Sequence, residues 1–132
     1  MVRVFVSSVQ ETHEFAAKLV QSSRHGGIVS LTGDLGAGKT EFVRGCLRFM
    51  GETGPVRSPT YTLVENYKPP GFLVAHLDLY RLSPEDDMSD LGFRELNSTA
   101  WCFVEWPDRL NFDVNFDLGI TLTVARDGRW IE

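Results

Sequence analysis

The run Gly33-Asp-Leu-Gly-Ala-Gly-Lys-Thr40 constrains this chain more than any other feature. It matches G-x-x-x-x-G-K-[ST] without a gap. Glycines let a backbone turn tightly and approach an anion with no Cβ in the way. Successive N–H groups can then face inward as an anion nest. A helix opening near Lys39 aims its positive dipole end at the same point. Average residue usage produces such a match by chance in on the order of one chain in a few hundred of this length. Gly33, Asp34, Leu35, Gly36, Ala37, Gly38, Lys39 and Thr40 are therefore read as a phosphate-binding loop. Lys39 is expected to neutralise the β- and γ-phosphates of ATP, and the Thr40 hydroxyl to ligate Mg²⁺.

Such a loop must follow a strand and open a helix. Ile28 to Thr32 is a short, partly β-branched run that reads as a buried strand. Lys39 to Met50 reads as a helix with Phe42, Val43, Cys46, Leu47 and Met50 on its buried side, closed by Gly51. Upstream, Val2 to Val6 reads as a strand. A helix then starts at Ser8 with Glu11, or Ser7 with Gln10, and ends at Gly26-Gly27. Downstream, Tyr61 to Tyr67 and Phe72 to Leu79 form a hairpin across Lys68-Pro-Pro-Gly71. Ser83-Pro-Glu-Asp86 has the composition of a third helix start. Trp101 to Glu105 is a further buried strand. Asp117 to Arg126 and Arg129 to Glu132 close a last hairpin across Asp127-Gly128. The expected fold is a single α/β P-loop NTPase domain, residues 1–132, with a mixed sheet flanked by helices.

A P-loop enzyme needs a carboxylate at a neighbouring strand end, to hold Mg²⁺ or its waters. Two runs end in an acid, Leu73 to Asp78 and Trp101 to Glu105. The second is the more hydrophobic, as a central parallel strand should be. Glu105 is thus the expected Mg²⁺ partner of Thr40, and Asp78 a group that acts on the metal's waters or the attacking water. A plain surface carboxylate is the alternative for each. Between helix and hairpin, Pro59 forces Ser58 out of the helical region, so Arg57 to Thr62 should be extended. Such a segment can lay the Thr60 hydroxyl against a γ-phosphate, or simply lead into a strand. His76 reads as a packing or hydrogen-bonding histidine, and Trp106 as core or rim.

Bulk properties fit. At 132 residues, with 42% hydrophobic and 23% charged residues, the chain suits one compact domain. A net charge of −5, with no basic stripe, argues against a direct grip on nucleic acid. Cys46 and Cys102 sit in apolar patterns and read as buried free thiols. No apolar stretch suits a membrane span and Met1 to Ser8 is too short and polar for a signal peptide, so a cytoplasmic location is expected.

Taken in order, Gly33 to Thr40, Ser58-Pro-Thr-Tyr-Thr62, His76-Leu-Asp-Leu-Tyr-Arg81, Leu91-Gly92 and Val104-Glu-Trp-Pro107 resemble the TsaE family. These are small bacterial ATPases needed to make N6-threonylcarbamoyladenosine in tRNA. The resemblance spans roughly Thr12 to Pro107. It implies an ATPase, weak alone, that works with the TsaB and TsaD proteins and resets the threonylcarbamoyl transferase between turnovers. Contact with tRNA would then be indirect, and the isolated chain a monomer. In the family the positions of Thr40 and Glu105 bind Mg²⁺. The resemblance also places Val9 to Thr12 beside the adenine. Glu41 departs from the pattern, where a second Thr or Ser is usual, and a minor effect is expected.

Three other readings remain. A GTPase would need a guanine-reading motif such as Asn-Lys-x-Asp, which is missing after the loop. A small-molecule kinase would need a substrate region and lid, for which little chain is left. An assembly module would bind ATP as a signal and hardly hydrolyse it alone.

Overall fold

The computed structural model describes residues 2–23, 26–59, 62–88, 91 and 100–132. Seven strands and two α-helices organise them: β1 Val4–Val6, α1 Val9–Ser22, β2 Gly27–Thr32, α2 Lys39–Met50, β3 Val64–Tyr67, β4 Leu73–Asp78, β5 Ala100–Glu105, β6 Leu118–Ala125 and β7 Gly128–Ile131. They form one mixed sheet in the order β1-β7-β6-β2-β5-β4-β3. Its centre, β6-β2-β5-β4, is parallel, and its outer pairs are antiparallel. All six residues of β5 are buried, as a strand between two parallel neighbours requires.

Side-chain alternation divides the core. Val29, Leu31, Trp101 and Phe103 project to the face that α1 and α2 cover. Cys102, Val104 and Leu77 project to the other, where Leu79, Leu82, Met88 and Leu91 pack on them. Both α-helices thus lie on one face, and chain outside them covers the opposite face among the described residues. Glu105 shares the helical face by its two-residue spacing from Phe103, and α2 therefore faces the polar end of β5. Cys46 and Cys102 are free and buried, and burial pushes the Cys102 thiol up to about 12.

Local chemistry explains the helix ends. The Ser8 Oγ accepts the Glu11 N–H at 3.1 Å, while the Glu11 carboxylate takes the Ser7 N–H at 3.2 Å. This is the Ser8–Glu11 start expected from sequence, with the return bond shifted one residue upstream. α2 has the expected bounds and ends on Gly51 in the left-handed region, φ 101°. Its last carbonyls are capped by Gly51 N–H to Arg48 at 3.2 Å and Glu52 N–H to Leu47 at 2.9 Å.

Several expectations need correction. α1 ends at Ser22 with Ser23 as its cap, not at Gly26-Gly27, and β3 begins at Val64, after a turn at Thr62 and Leu63. No helix starts at Ser83: the described residues 83–88 form a turn. The Asp86 carboxylate takes the Ser83 N–H at 2.8 Å, and the Asn111 side-chain amide donates to the Pro84 and Asp86 carbonyls at 3.0 and 3.3 Å. Tertiary partners thus occupy the groups that helical bonds would use. The last hairpin turns across Arg126-Asp127, with Ala125 opposite Gly128, one residue earlier than expected.

Gly128 sits there for packing. A Cβ on it would collide with the Val6 carbonyl oxygen and lie 2.8 Å from Phe5 Cζ and 3.1 Å from Ser7 Cα. Backbone cannot yield as a side chain can, so Gly128→Ala is expected to cost about 1–3 kcal/mol by overpacking. For a domain this size that lowers the midpoint of thermal unfolding by roughly 3–15 °C, which a circular-dichroism melt would measure.

Candidate functional site

The parallel centre of the sheet brings three strand ends together. β2 ends at Thr32 and feeds the glycine loop. Leu31 pairs with Glu105, and Glu105 with Asp78, across β2, β5 and β4. In open α/β sheets the carboxyl ends of the strands are where ligands bind. A cleft of about 420 Å³ opens at this edge, a volume suited to a small ligand.

The loop forms one wall. Gly36 and Gly38 have φ of 80° and 105°, conformations that glycine reaches without strain. Gly33 is required by proximity: a Cβ there would lie 2.6 Å from the Leu122 carbonyl oxygen. Leu35, Gly36, Gly38, Lys39 and Thr40 line the cleft. Ala37 does not; its side chain is in the core and its N–H is bound to the Asp34 carbonyl at 3.0 Å. Ala37 therefore anchors the loop to the core.

Lys39 is almost fully buried. Its ammonium donates to the Gly33 carbonyl and, at 3.3 Å, to that of Asp34, and lies 4.2 Å from the centre of the Trp106 ring. Burial pulls its pKa below 10.5, and the charges of Glu105, Asp78 and Asp34 work against that shift. The positive charge is thus stored against loop carbonyls and an aromatic face.

Opposite Lys39 stand the two acids, both buried. Glu105 Oε2 accepts the Thr40 hydroxyl at 3.1 Å and is hydrogen-bonded to His76 Nε2 at 2.5 Å. Asp78 accepts the Ser58 hydroxyl at 3.1 Å and the Tyr80 N–H at 3.1 Å. Lys39, Thr40, Asp78 and Glu105 thus meet in one cleft, which Val9 and Thr12 also line. Thr12 is buried, with its hydroxyl bonded to the Ser8 carbonyl at 3.3 Å, whereas Val9 is exposed. Thr60 lies outside the described residues, as does Gly92. Among the described residues no group of three His, Cys, Asp or Glu could hold a metal alone.

Several groups were not assigned to the site from sequence. His76 supports Glu105 from a fully buried position, the hydrogen-bonding half of its expected role. Trp106 is not a simple core residue: its left-handed backbone, φ 58°, turns the ring over Lys39. Ser58 reaches Asp78 from the chain before Pro59. Glu41 lines the cleft and is held by His13 Nε2 at 2.7 Å and by Arg44, which donates onward to the Val56 carbonyl at 2.7 Å. Arg129 arrives from β7 to donate to the Gly36 carbonyl at 3.3 Å. Strand-end acids are readable from sequence; a residue brought in by the far hairpin carries no local signal.

Residues 6–130 match the family described as "Threonylcarbamoyl adenosine biosynthesis protein TsaE". The chain belongs to the TsaE family. Curated TsaE proteins, each named as a tRNA threonylcarbamoyladenosine biosynthesis protein, align with it. That of Haemophilus influenzae is 46% identical over 83 residues, 62% of this chain and 52% of that protein. That of Rickettsia conorii is 40% identical over 104 residues, 78% of this chain and 59% of that protein. That of a Nostoc species is 30% identical over 132 residues, 97% and 82%. The aligned part thus spans little more than half the length of the first two TsaE relatives. The crystal structure of Bacillus subtilis YdiB superposes with a TM-score of 0.78 at 26% identity, covering 98% of this chain and 82% of that one. No helix among the described residues is long and apolar enough to cross a membrane.

Proposed function

We propose that this chain binds ATP with Mg²⁺ and hydrolyses it as the ATPase of the machinery that forms threonylcarbamoyladenosine in tRNA. The observation that carries this is the convergence of Lys39, Thr40, Asp78 and Glu105 at the carboxyl ends of β2, β5 and β4.

The charge pattern fits a nucleotide–metal pair better than either alone. Asp78 and Glu105 are neighbours in register and both buried, so a bare triphosphate would be repelled by them. A divalent cation held by Thr40 and Glu105 would offset that repulsion. Mg²⁺ takes one or two protein oxygens and fills the rest with phosphate and water, which suits a site with Thr40 and Glu105 alone as its direct protein ligands. Bound there, the ion would neutralise charge developing on the phosphates.

The chain's own groups then divide the work. The loop amides and Lys39 hold the phosphates. Thr40 offers its oxygen while its O–H donates to Glu105. His76 keeps Glu105 aimed into the cleft. Asp78, anchored by Ser58 and the Tyr80 N–H, is placed to orient a water. Thr60 would close over the γ-phosphate, and Val9 and Thr12 border the adenine. With a net charge of −5, the chain would reach tRNA through TsaB and TsaD rather than directly.

The test measures ATP turnover of this chain alone and with the TsaB–TsaD pair. Turnover that rises with the pair supports the proposal, because partners can complete a phosphoryl-transfer site in trans. No rise, with a complex that still assembles when Glu105 is replaced by Gln, would make ATP an assembly signal instead.

A further inference from the structure

We propose that Arg129 is the second cation of the phosphate site, which rests on the nucleotide reading of the cleft given above. Three other arginines of the described chain are fully engaged. Arg3 pairs with Glu132 at 3.3 Å and Arg44 with Glu41. Arg48 is bound to two carbonyls at 2.6 and 2.7 Å. Arg129 differs. Among the described residues its one hydrogen bond is the 3.3 Å contact from Nη2 to the Gly36 carbonyl, and it has no carboxylate partner there. Its Nε is buried from solvent and has no partner among the described residues. A buried guanidinium N–H left unpaired is costly, and a site that retains one has an acceptor still to come.

The position identifies the acceptor's chemistry. Arg129 lines the same cleft as Lys39. Its Cδ and Nε are each 3.4 Å from where a Cβ on Gly38 would be, so the side chain rests against the bare backbone of the phosphate loop. A planar fork of donors beside a ring of amides matches the oxygens of a phosphate chain. The long bond to Gly36 is weak enough to exchange for a charged oxygen. Arg129 would then carry charge onto the terminal phosphates from β7.

A purely structural Arg129 would brace the loop through its stem and leave its charge irrelevant. Titration of the full chain separates the two. Wild type, R129M and R129K are titrated with a fluorescent ATP analogue in Mg²⁺, then displaced by ATP, ADP and AMP. R129M keeps the packing stem and loses the charge. It is expected to weaken ATP binding about 10- to 100-fold, with a smaller loss for ADP and the smallest for AMP. R129K keeps a point charge without the fork and should lose about threefold to tenfold for ATP, graded in the same order. If R129M does not fold, the R129K gradient decides alone. Unchanged affinity, or an equal loss for all three nucleotides, overturns the proposal and leaves Arg129 a brace. A wild-type chain that binds no nucleotide overturns instead the reading on which the proposal stands.

Discussion

Lys39→Ala should lose ATP binding while the domain stays folded. Truncating one partner of a buried, hydrogen-bonded charge pair costs about 2–5 kcal/mol, or roughly 30- to 4,000-fold in affinity. Without nucleotide the balance differs. The Lys39 ammonium loses solvation by burial, as its lowered pKa shows, and recovers part of that through Gly33, Asp34 and the Trp106 ring. Alanine removes the penalty together with the compensation, so the melting temperature should move little. The sign of the pH effect follows from the same shift. Between the lowered pKa of folded Lys39 and its ordinary 10.5, the unfolded chain binds more protons than the folded one. Wild-type stability therefore gains a rising contribution with pH across that window, and the alanine variant lacks it. Calorimetric titration with ATP and thermal melts from neutral to alkaline pH check both halves. Equal ATP affinity in variant and wild type would remove Lys39 from the phosphate site.

Much of this geometry could be read in the order of residues, and what could not shares one cause. α2 has the bounds its apolar spacing and Gly51 dictate, because cap and periodicity are local. The rank of β5 over β4 as the inner strand followed from its unbroken hydrophobicity, and this places Glu105 between β2 and Asp78. Ser83-Pro-Glu-Asp misled because a helix start needs free carbonyls four residues back, and Asn111, far along the chain, takes those of Pro84 and Asp86. Trp106 was illegible for a similar reason: its role depends on a left-handed backbone at the end of β5, which no side-chain pattern announces. Arg129 meets Gly36 across 93 positions of chain, through a hairpin that returns beside the phosphate loop. Sequence thus supplied the loop, its helix and the acids that end apolar strands, and missed the groups with no local pattern to mark them.

Glu105→Gln is expected to separate binding from chemistry. Glutamine has nearly the shape of glutamate, and its oxygen can still accept from Thr40 Oγ1 and His76 Nε2, the two bonds that now fix the carboxylate. The buried cluster should therefore survive, with stability close to wild type. What disappears is the negative charge beside the Thr40 hydroxyl. Loop amides and Lys39 are untouched, so ATP affinity should change only a few-fold. Turnover should fall about 10²-fold or more, the loss typical when a group that stabilises transition-state charge is removed. The Mg²⁺ concentration for half-maximal activity should rise, because a neutral amide is a poorer partner for a hard cation than a carboxylate. Asp78→Asn provides the contrast. Asp78 is fixed by Ser58 and the Tyr80 N–H and not by Thr40, so its loss should lower turnover with little shift in Mg²⁺ demand. Steady-state turnover across a Mg²⁺ series distinguishes the two acids. Unchanged turnover in Glu105→Gln, with a Mg²⁺ shift in Asp78→Asn, would exchange their roles and put the metal on β4.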